Sequence, residues 1–265
     1  NTTTTTKYYL FMQNFLGFAL KGVINMNIIC DKSKLLEGIN ISLKAIPGKS
    51  TMAILECMVI EAKDGIIKLI SNDLEIGIET IIEGEIKEPG SVAVNAKVFF
   101  EIIRKLPYNE VTISVNENLT MNITCGKAKF NIPVKDTEEF PYLPKIVKDK
   151  SVLISQFTLK EVIHQTVFSI SDNENTKVMT GELFEIKGSQ LKVVSLDGHR
   201  ISIRKVDLKE QYDDVSVIIP GKTLIEISKI LNGGLDDEIC MYFTDKHVLF
   251  EFDNTIVLSR LIEGE

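Results

Sequence analysis

Apolar and polar residues alternate along the stretch from Gly181 to Val206, GELFEIKGSQLKVVSLDGHRISIRKV. The alternation breaks at Lys187-Gly188-Ser189, resumes, turns at Asp197-Gly198 and then resumes again. A period of two residues is typical of a strand with one buried face, and breaks that contain Gly mark turns. The pattern therefore predicts three strands, joined first by a short hairpin loop and then by a tight turn.

Helix signals occur at four places between such strands. The first and third segments repeat apolar residues every three to four positions, while the second begins with Asn95 as an N-cap and the fourth with Pro220 in its first turn. The predicted helices are Asp31 to Ile46, Asn95 to Leu106, Thr158 to Ser171 and Pro220 to Asn232. Alternating segments such as Val111 to Val115 and Ile239 to Phe243 predict further strands. This order predicts an α+β fold, in which antiparallel sheets carry helices on one face.

The chain contains an internal repeat at a shift of 124 or 125 positions. Lys68 to Asp73 matches Lys192 to Asp197, and Lys97 to Leu106 (KVFFEIIRKL) matches Lys222 to Leu231 (KTLIEISKIL). Because separate blocks keep one offset, we predict two copies of one domain, at residues 26–148 and 149–265, with EEFPYLP in the linker between them.

Residues 1–25 do not belong to the repeat. Lys7 is their one early charge, and they lack the unbroken apolar stretch and the cleavage site of a secretory signal. We therefore interpret this segment as a leader outside the domains, with Met26 as the natural start; it comes from upstream read-through or a cloning remnant, or is a real extension.

Composition places the chain among ordinary globular proteins, with 44% apolar and 25% charged residues in 265. The four cysteines show no C-x-x-C spacing, which favours reduced thiols in the cytoplasm over a disulfide framework. The net charge of −7 argues at first sight against a nucleic-acid partner.

Catalytic chemistry is scarce in the sequence. Asp197 and His199 could form an acid–base or metal pair in a duplicated hydrolase-like or metal-dependent enzyme, but the three histidines show no metal-ligand spacing. Asp73, the repeat partner of Asp197, has neither Gly nor His beside it. No phosphate-binding loop of the G-x-x-x-x-G-K-[ST] type is present. We expect a non-enzymatic protein with no metal and no cofactor, and keep the enzyme as the alternative.

Two motifs carry a resemblance to a known family. FP-x-LP stands between the repeats at residues 140–144, and L-x-V-V-S-x-D-G-H-R-I stands in the second repeat at residues 191–201. With the order of the repeats, these motifs make residues 26–265 similar to the bacterial sliding clamp family, the β subunit of DNA polymerase III. The resemblance implies a DNA replication processivity factor with three domains per chain, two chains forming a homodimer ring around duplex DNA. Its implied partners are the replicative polymerase, the clamp loader and other proteins with a clamp-binding motif.

The sequence departs from the family pattern in four ways. The third domain is absent up to Glu265, Ala53 stands where members usually carry Pro, Leu196 stands where many carry Thr, and Ile201 replaces the commoner Leu. Two repeats also fit the two-domain clamps of eukaryotes and archaea, which close as trimers, but the motifs favour the bacterial type.

The charge distribution suggests how an acidic clamp could follow DNA. The four predicted helices carry +1, +2, 0 and +1, so they total +4 while all other residues total −11. Positive helices facing a central channel would contact phosphates without gripping them, although solvated helix faces carry similar charges. The resemblance implies DNA contacts at Lys49, Lys97 and Lys177, and Arg104 and Lys222 are further candidates on helices.

The resemblance also implies two protein interfaces. A pocket for partner peptides is expected at Met179, Leu196, Gly198, His199, Arg200 and Ile201, with its opposite wall in the third domain. Phe130 and Ile132, at the end of domain 1, are expected to face the third domain of a neighbouring chain. The alternatives are a plain solvated hairpin tip for the first set and core packing for the second.

Overall fold

The computed structural model of the protein describes residues 25–234 and 236–264, so the predicted leader lies outside the described residues except for its last position. The chain divides into two compact units. The first unit comprises residues up to 40, 49–69 and 81–140, and the second comprises 41–48, 70–80 and 141–265. Among the described residues, no helix is long and apolar enough to cross a membrane.

Strands and helices alternate in the order that the sequence predicts. Up to residue 140 the elements are β1 (Met26–Asp31), α1 (Lys32–Ser42), a 3₁₀ turn (Leu43–Ala45), β2 (Cys57–Lys63), β3 (Ile66–Asn72), β4 (Ile76–Ile82), β5 (Gly84–Glu88), β6 (Gly90–Asn95), α2 (Ala96–Lys105), β7 (Glu110–Asn116), β8 (Thr120–Cys125) and β9 (Ala128–Pro133). From residue 141 they are β10 (Ser151–Ser155), α3 (Gln156–Thr166), 3₁₀ turns (Val167–Ser169 and Glu174–Thr180), β11 (Gly181–Leu196), β12 (Ile201–Pro220), α4 (Gly221–Ile230), β13 (Glu238–Phe243), β14 (His247–Phe252) and β15 (Thr255–Arg260). The predicted α+β class is confirmed.

All sheets are antiparallel. In the first unit five strands lie in the order β5-β1-β7-β8-β9, and β2 pairs with β6. In the second unit the order is β10-β13-β14-β15-β4, and β11 pairs with β12. The core of the second unit lies beneath α3 and α4 and includes Phe184, Leu224 and Phe250.

The helix ends follow local capping. The side chain of Asn95 accepts from the backbone N–H of Val98, so the predicted N-cap is confirmed. α3 begins two residues earlier than predicted because the Ser155 hydroxyl caps it through the N–H of Thr158. The placement of Pro220 in the first turn of α4 is wrong: its backbone is extended, with φ −54° and ψ 131°, so it occupies the cap and α4 begins at Gly221.

The predicted hairpin within β11 is confirmed by an ion pair. Lys192 Nζ lies 3.2 Å from Glu185 Oε2, although seven residues separate them. In a straight strand these residues would be roughly 23 Å apart, beyond the reach of both side chains. The chain therefore reverses between them, where Gly188 has φ +58°.

Hydrogen bonds outside the regular elements repeat the sequence duplication. The Ser71 hydroxyl donates to the carbonyl of Ser42 at 2.6 Å, and the Ser195 hydroxyl donates to the carbonyl of Thr166 at the same distance. Each residue of the first pair precedes its counterpart by 124 positions. Two isolated backbone bridges, Ala93 with Lys135 and Ile218 with Ile262, also correspond. The repeat is thus conserved down to individual contacts.

Candidate functional site

The turn between β11 and β12 is organised by one carboxylate. Asp197 Oδ1 accepts from the backbone N–H groups of His199 at 2.9 Å and Arg200 at 3.0 Å, while Oδ2 accepts from Arg200 Nε at 2.8 Å. These bonds, with the His199 N–H first, lower the pKa of Asp197. Gly198 has φ +87°, a conformation that glycine adopts without strain. The ionised carboxylate of Asp197 therefore caps the turn.

This turn presents an apolar rim to solvent. Ile201, the first residue of β12, is 60% exposed and pairs across the ribbon with Leu196, which is half-buried. Met179 is also half-buried, and its carbonyl accepts from the N–H of Ser171. A 2.7 Å hydrogen bond between the hydroxyls of Ser169 and Ser202 ties the preceding 3₁₀ turn to β12. The structure thus pairs Leu196 with Ile201 and places Met179 in the segment that leads into β11.

The geometry gives Asp197 and His199 no catalytic arrangement. Asp197 contacts the backbone N–H of His199, and its second oxygen is held by Arg200. Among residues 25–234 and 236–264, no group of three His, Cys, Asp or Glu side chains could hold a metal ion.

The same turn occurs in the first repeat, but a different side chain donates to its carboxylate. Asp73 Oδ1 accepts from the N–H groups of Glu75 and Ile76, and Leu74 takes the left-handed position of Gly198 with φ +76°. Asp73 Oδ2, however, accepts from Lys222 Nζ at 2.6 Å. The sequence comparison aligned Asp73 with Asp197 but gave no sign of this partner.

The ion pair changes the interpretation of the candidate DNA contacts. The ammonium of Lys222 is held by Asp73 and lies 3.9 Å from Glu75, so the prediction that it contacts DNA is not supported by its position. Arg104 is bound through both oxygens of Glu101, whose pKa is lowered chiefly by this bond. Of the remaining candidates, Lys49 lies in the loop after α1, Lys97 in the first turn of α2 and Lys177 in the 3₁₀ segment before β11; all three are exposed.

The two predicted interface residues of the first unit differ in exposure. β9 is an edge strand, as an extending sheet requires, and Phe130 on it is 40% exposed. Ile132 is only 8% exposed because it faces the core, opposite Met121 of β8. The exposure of Phe130 is compatible with the predicted contact to a neighbouring chain. The side chain of Ile132 is buried, so only its backbone, on the edge strand, is placed for such a contact.

A buried carboxyl was missed by the sequence analysis. Glu182 in β11 has no exposed surface, one of its oxygens has no hydrogen-bond partner, and the other lies 3.1 Å from the Thr166 hydroxyl. Burial raises the pKa of Glu182 to about 8. The alternation of β11 contained a signal, because it places Glu182 on the face of Phe184 and Ile186, both buried.

Comparison with known proteins assigns both repeats to one family. Residues 26–144 match the model of the N-terminal domain of the DNA polymerase III beta subunit, and residues 153–265 match that of its central domain. A beta sliding clamp from Staphylococcus epidermidis is 36% identical over 247 residues, covering 90% of this chain and 65% of the relative.

Solved structures agree with the sequence relatives. A putative DNA polymerase III beta subunit from Eubacterium rectale is 56% identical, with a TM-score of 0.89, covering 91% of this chain and 66% of that one. A sliding clamp from Bartonella birtlesii bound to griselimycin is 25% identical, with a TM-score of 0.84 and coverage of 91% and 66%.

The two matched α+β domains define a protein of the sliding-clamp fold. More particularly, the chain belongs to the family of the DNA polymerase III beta subunit, the bacterial sliding clamp. It spans about 65% of the length of the curated relatives that it matches.

Proposed function

We propose that this protein is a non-catalytic processivity factor of DNA replication, which encircles duplex DNA and tethers a polymerase to it. The observation that carries the proposal is that both repeats match consecutive domains of one clamp family. The excess of positive charge on the helices within an acidic chain supports it, because such helices can follow phosphates without reading bases.

The remaining assignments rest on the same relationship. We assign the protein to the cytoplasm, as its cysteines form no disulfide among the described residues. Its partners are the replicative polymerase, the clamp loader and other proteins with a clamp-binding motif. The exposed edge of β9 with Phe130 serves the homodimer ring.

Duplex DNA should bind weakly, without sequence preference, and with a steep salt dependence. The variants Lys49→Ala and Lys177→Ala should each lower the slope of log affinity against log salt by about 0.9, because each removes one phosphate contact. Lys222→Ala makes the same change of charge at a residue already held by Asp73, so its slope should match the unmodified protein. Fluorescence anisotropy with two duplexes of unrelated sequence, over about 50 to 200 mM salt, measures this.

Two outcomes would count against the DNA proposal. One is an equal change of slope in Lys222→Ala and Lys49→Ala. The slope would then report the loss of any positive charge, and not the loss of a lysine that contacts phosphate. The other is a marked preference for one duplex, because a sliding ring has no use for base recognition.

We propose further that the rim formed by Met179, Leu196 and Ile201 takes apolar anchors of partner peptides. Gly198 has no side chain, so a peptide backbone can approach the turn closely, and His199 and Arg200 border it. The unbranched Met179 can adapt to different anchors. Griselimycin, bound by the Bartonella birtlesii clamp, is a suitable probe. The resemblance places the opposite wall of this pocket in a third domain.

The double variant Met179→Ala, Ile201→Ala should bind griselimycin about thirtyfold more weakly, since each truncation removes about 1 kcal/mol of apolar contact. Isothermal titration calorimetry measures the change. Ile66→Ala is the matched control, because Ile66 is another exposed isoleucine and lies in the first repeat. Equal binding by the double variant and the unmodified protein would show that the pocket lies elsewhere.

A further inference from the structure

A cavity of about 400 Å³ lies within the first unit, apart from every site described above. Its lining residues are Met52, Ala53, Ile54, Lys135 and Glu139. This volume is at the lower end of the range of roughly 300–1,000 Å³ that ligand pockets occupy. It suits one or two large apolar side chains of an incoming chain better than a cofactor.

Backbone hydrogen bonds hold both walls in place. On one wall the N–H of Leu55 donates to the carbonyl of Met52, and the N–H of Cys57 donates to that of Ile54, each at 3.0 Å. On the other wall Lys135 exchanges two backbone hydrogen bonds with Ala93, at 3.0 and 2.8 Å. The cavity is thus formed before any ligand arrives, which reduces the entropy cost of binding.

The lining combines an adaptable apolar surface with two charges. Met52 is 44% exposed and Ile54 is almost fully buried, so one forms the rim and the other the floor. Lys135 and Glu139 are both exposed, and neither forms an ion pair within the described chain. The bridge to Ala93 fixes the backbone of Lys135 at the rim, whereas Glu139 follows in a segment without regular structure.

The same place in the second repeat has a different lining. The repeated bridge puts Ile262 where the first repeat has Lys135, and Ile262 is buried. Val178 corresponds to Ile54 by the shift of 124; it is 39% exposed, and a Cβ on Gly264 would lie 2.6 Å from its Cγ2. A lysine at this bridge is therefore a feature of the first repeat, where the second has an apolar side chain.

We propose that this cavity is a second docking site, which takes a short segment of a partner protein with a large apolar side chain beside an acidic residue. The apolar side chain enters between Met52 and Ile54, and the acidic residue pairs with Lys135 at the rim. The small side chain of Ala53 leaves the entrance open. This site goes beyond the proposed function, since the rim near Ile201 does not contribute to it.

Methionine-methyl NMR of the 265-residue chain tests the proposal, because Met52 reports on the cavity and Met179 on the rim near Ile201. The probe is the capped peptide Ac-Gly-Asp-Leu-Leu-Gly-NH₂, compared with Ac-Gly-Lys-Leu-Leu-Gly-NH₂. We expect the Met52 resonance, assigned with Met52→Leu, to shift saturably with the acidic peptide. Lys135→Glu should weaken that binding about fivefold, as expected for one exposed ion pair, and should favour the basic peptide.

Two variants separate the cavity from general surface binding. Ala53→Phe fills the entrance and should abolish the Met52 shift, while Lys129→Glu, the same change of charge at an exposed position of β9, should leave it unchanged. The proposal is overturned if Met52 does not respond, if Ala53→Phe still binds, or if Lys129→Glu weakens binding as much as Lys135→Glu. A response at Met179 alone would overturn it while leaving the proposed function intact.

Discussion

Replacing Glu182 with methionine is expected to raise the free energy of unfolding of the second unit by about 4–5 kcal/mol at pH 9 and by about 2 kcal/mol at pH 6. The pKa of this buried carboxyl is about 8 in the folded protein, against an ordinary value of 4.5. Below pH 4.5 both states are protonated, so the carboxyl adds no pH dependence. As the pH rises from 4.5 to 8, only the unfolded state loses its proton, and the folded state becomes steadily less stable.

The hydrogen bonds around Glu182 agree with a neutral carboxyl. The Thr166 hydroxyl lies 2.8 Å from the carbonyl of Val162, to which it can only donate. Its single hydrogen is then used, so the 3.1 Å contact with Glu182 is satisfied when the carboxyl carries a proton and donates it. Methionine suits the position because Met58 occupies it in the first repeat and is fully buried there.

Urea unfolding at pH 5, 7 and 9, followed by circular dichroism, measures the effect of Glu182→Met. Glu182→Gln is the matched control, because it keeps the shape but cannot ionise; its stability should lose the same pH dependence with a smaller gain at each pH. Parallel stability profiles for Glu182→Met and the unmodified protein between pH 5 and 9 would show that Glu182 ionises normally in the folded state.

Asp73→Ala should lower the free energy of unfolding by about 2–3 kcal/mol. The Asp73 side chain is only 5% exposed, and it satisfies two backbone N–H groups as well as the ammonium of Lys222. Alanine leaves those N–H groups without their acceptor while Leu74 keeps its strained left-handed conformation. The loss should appear in the urea midpoint of the second unit, which contains the turn.

Two further variants divide that loss between its sources. Asp73→Asn keeps an oxygen that can cap the turn, and Lys222→Ala keeps the whole carboxylate, so each should cost about 1 kcal/mol or less. Because Lys222 is 57% exposed, its own contribution is small. If Lys222→Ala destabilised the protein as much as Asp73→Ala, the ion pair and not the capped turn would be the source of stability.

Local sequence signals sufficed for the helices and for the turn at Asp197. Asn95 predicts the start of α2 because its cap reaches only three residues along the chain. Asp197-Gly198 predicts a turn because glycine tolerates the left-handed conformation. The corresponding turn at Asp73 gave no such signal, because a leucine, Leu74, takes the left-handed conformation that glycine takes at Gly198.

Tertiary contacts account for what the sequence could not show. From the sequence, Lys222 is a candidate DNA contact on a helix, and only the folded chain brings it to a carboxylate 149 positions earlier. Ile132 and Phe130 alternate as one side of a strand requires, yet Phe130 is exposed and Ile132 is buried, a difference that the alternation does not predict. The cavity at Met52 brings residues 52–54 beside Lys135 and Glu139, and a local hydropathy pattern does not show which distant segments meet.

The two equivalent turns differ in when they can be completed during synthesis. The carboxylate of Asp197 pairs with Arg200, three residues later, so its turn can form as soon as Arg200 has left the ribosome. Asp73 must wait for Lys222, which follows 149 residues later, or roughly 7 to 30 seconds at ordinary rates of translation. During that interval the turn at Asp73 has its two backbone N–H partners but not its lysine, and the ion pair forms only after the second repeat has been made.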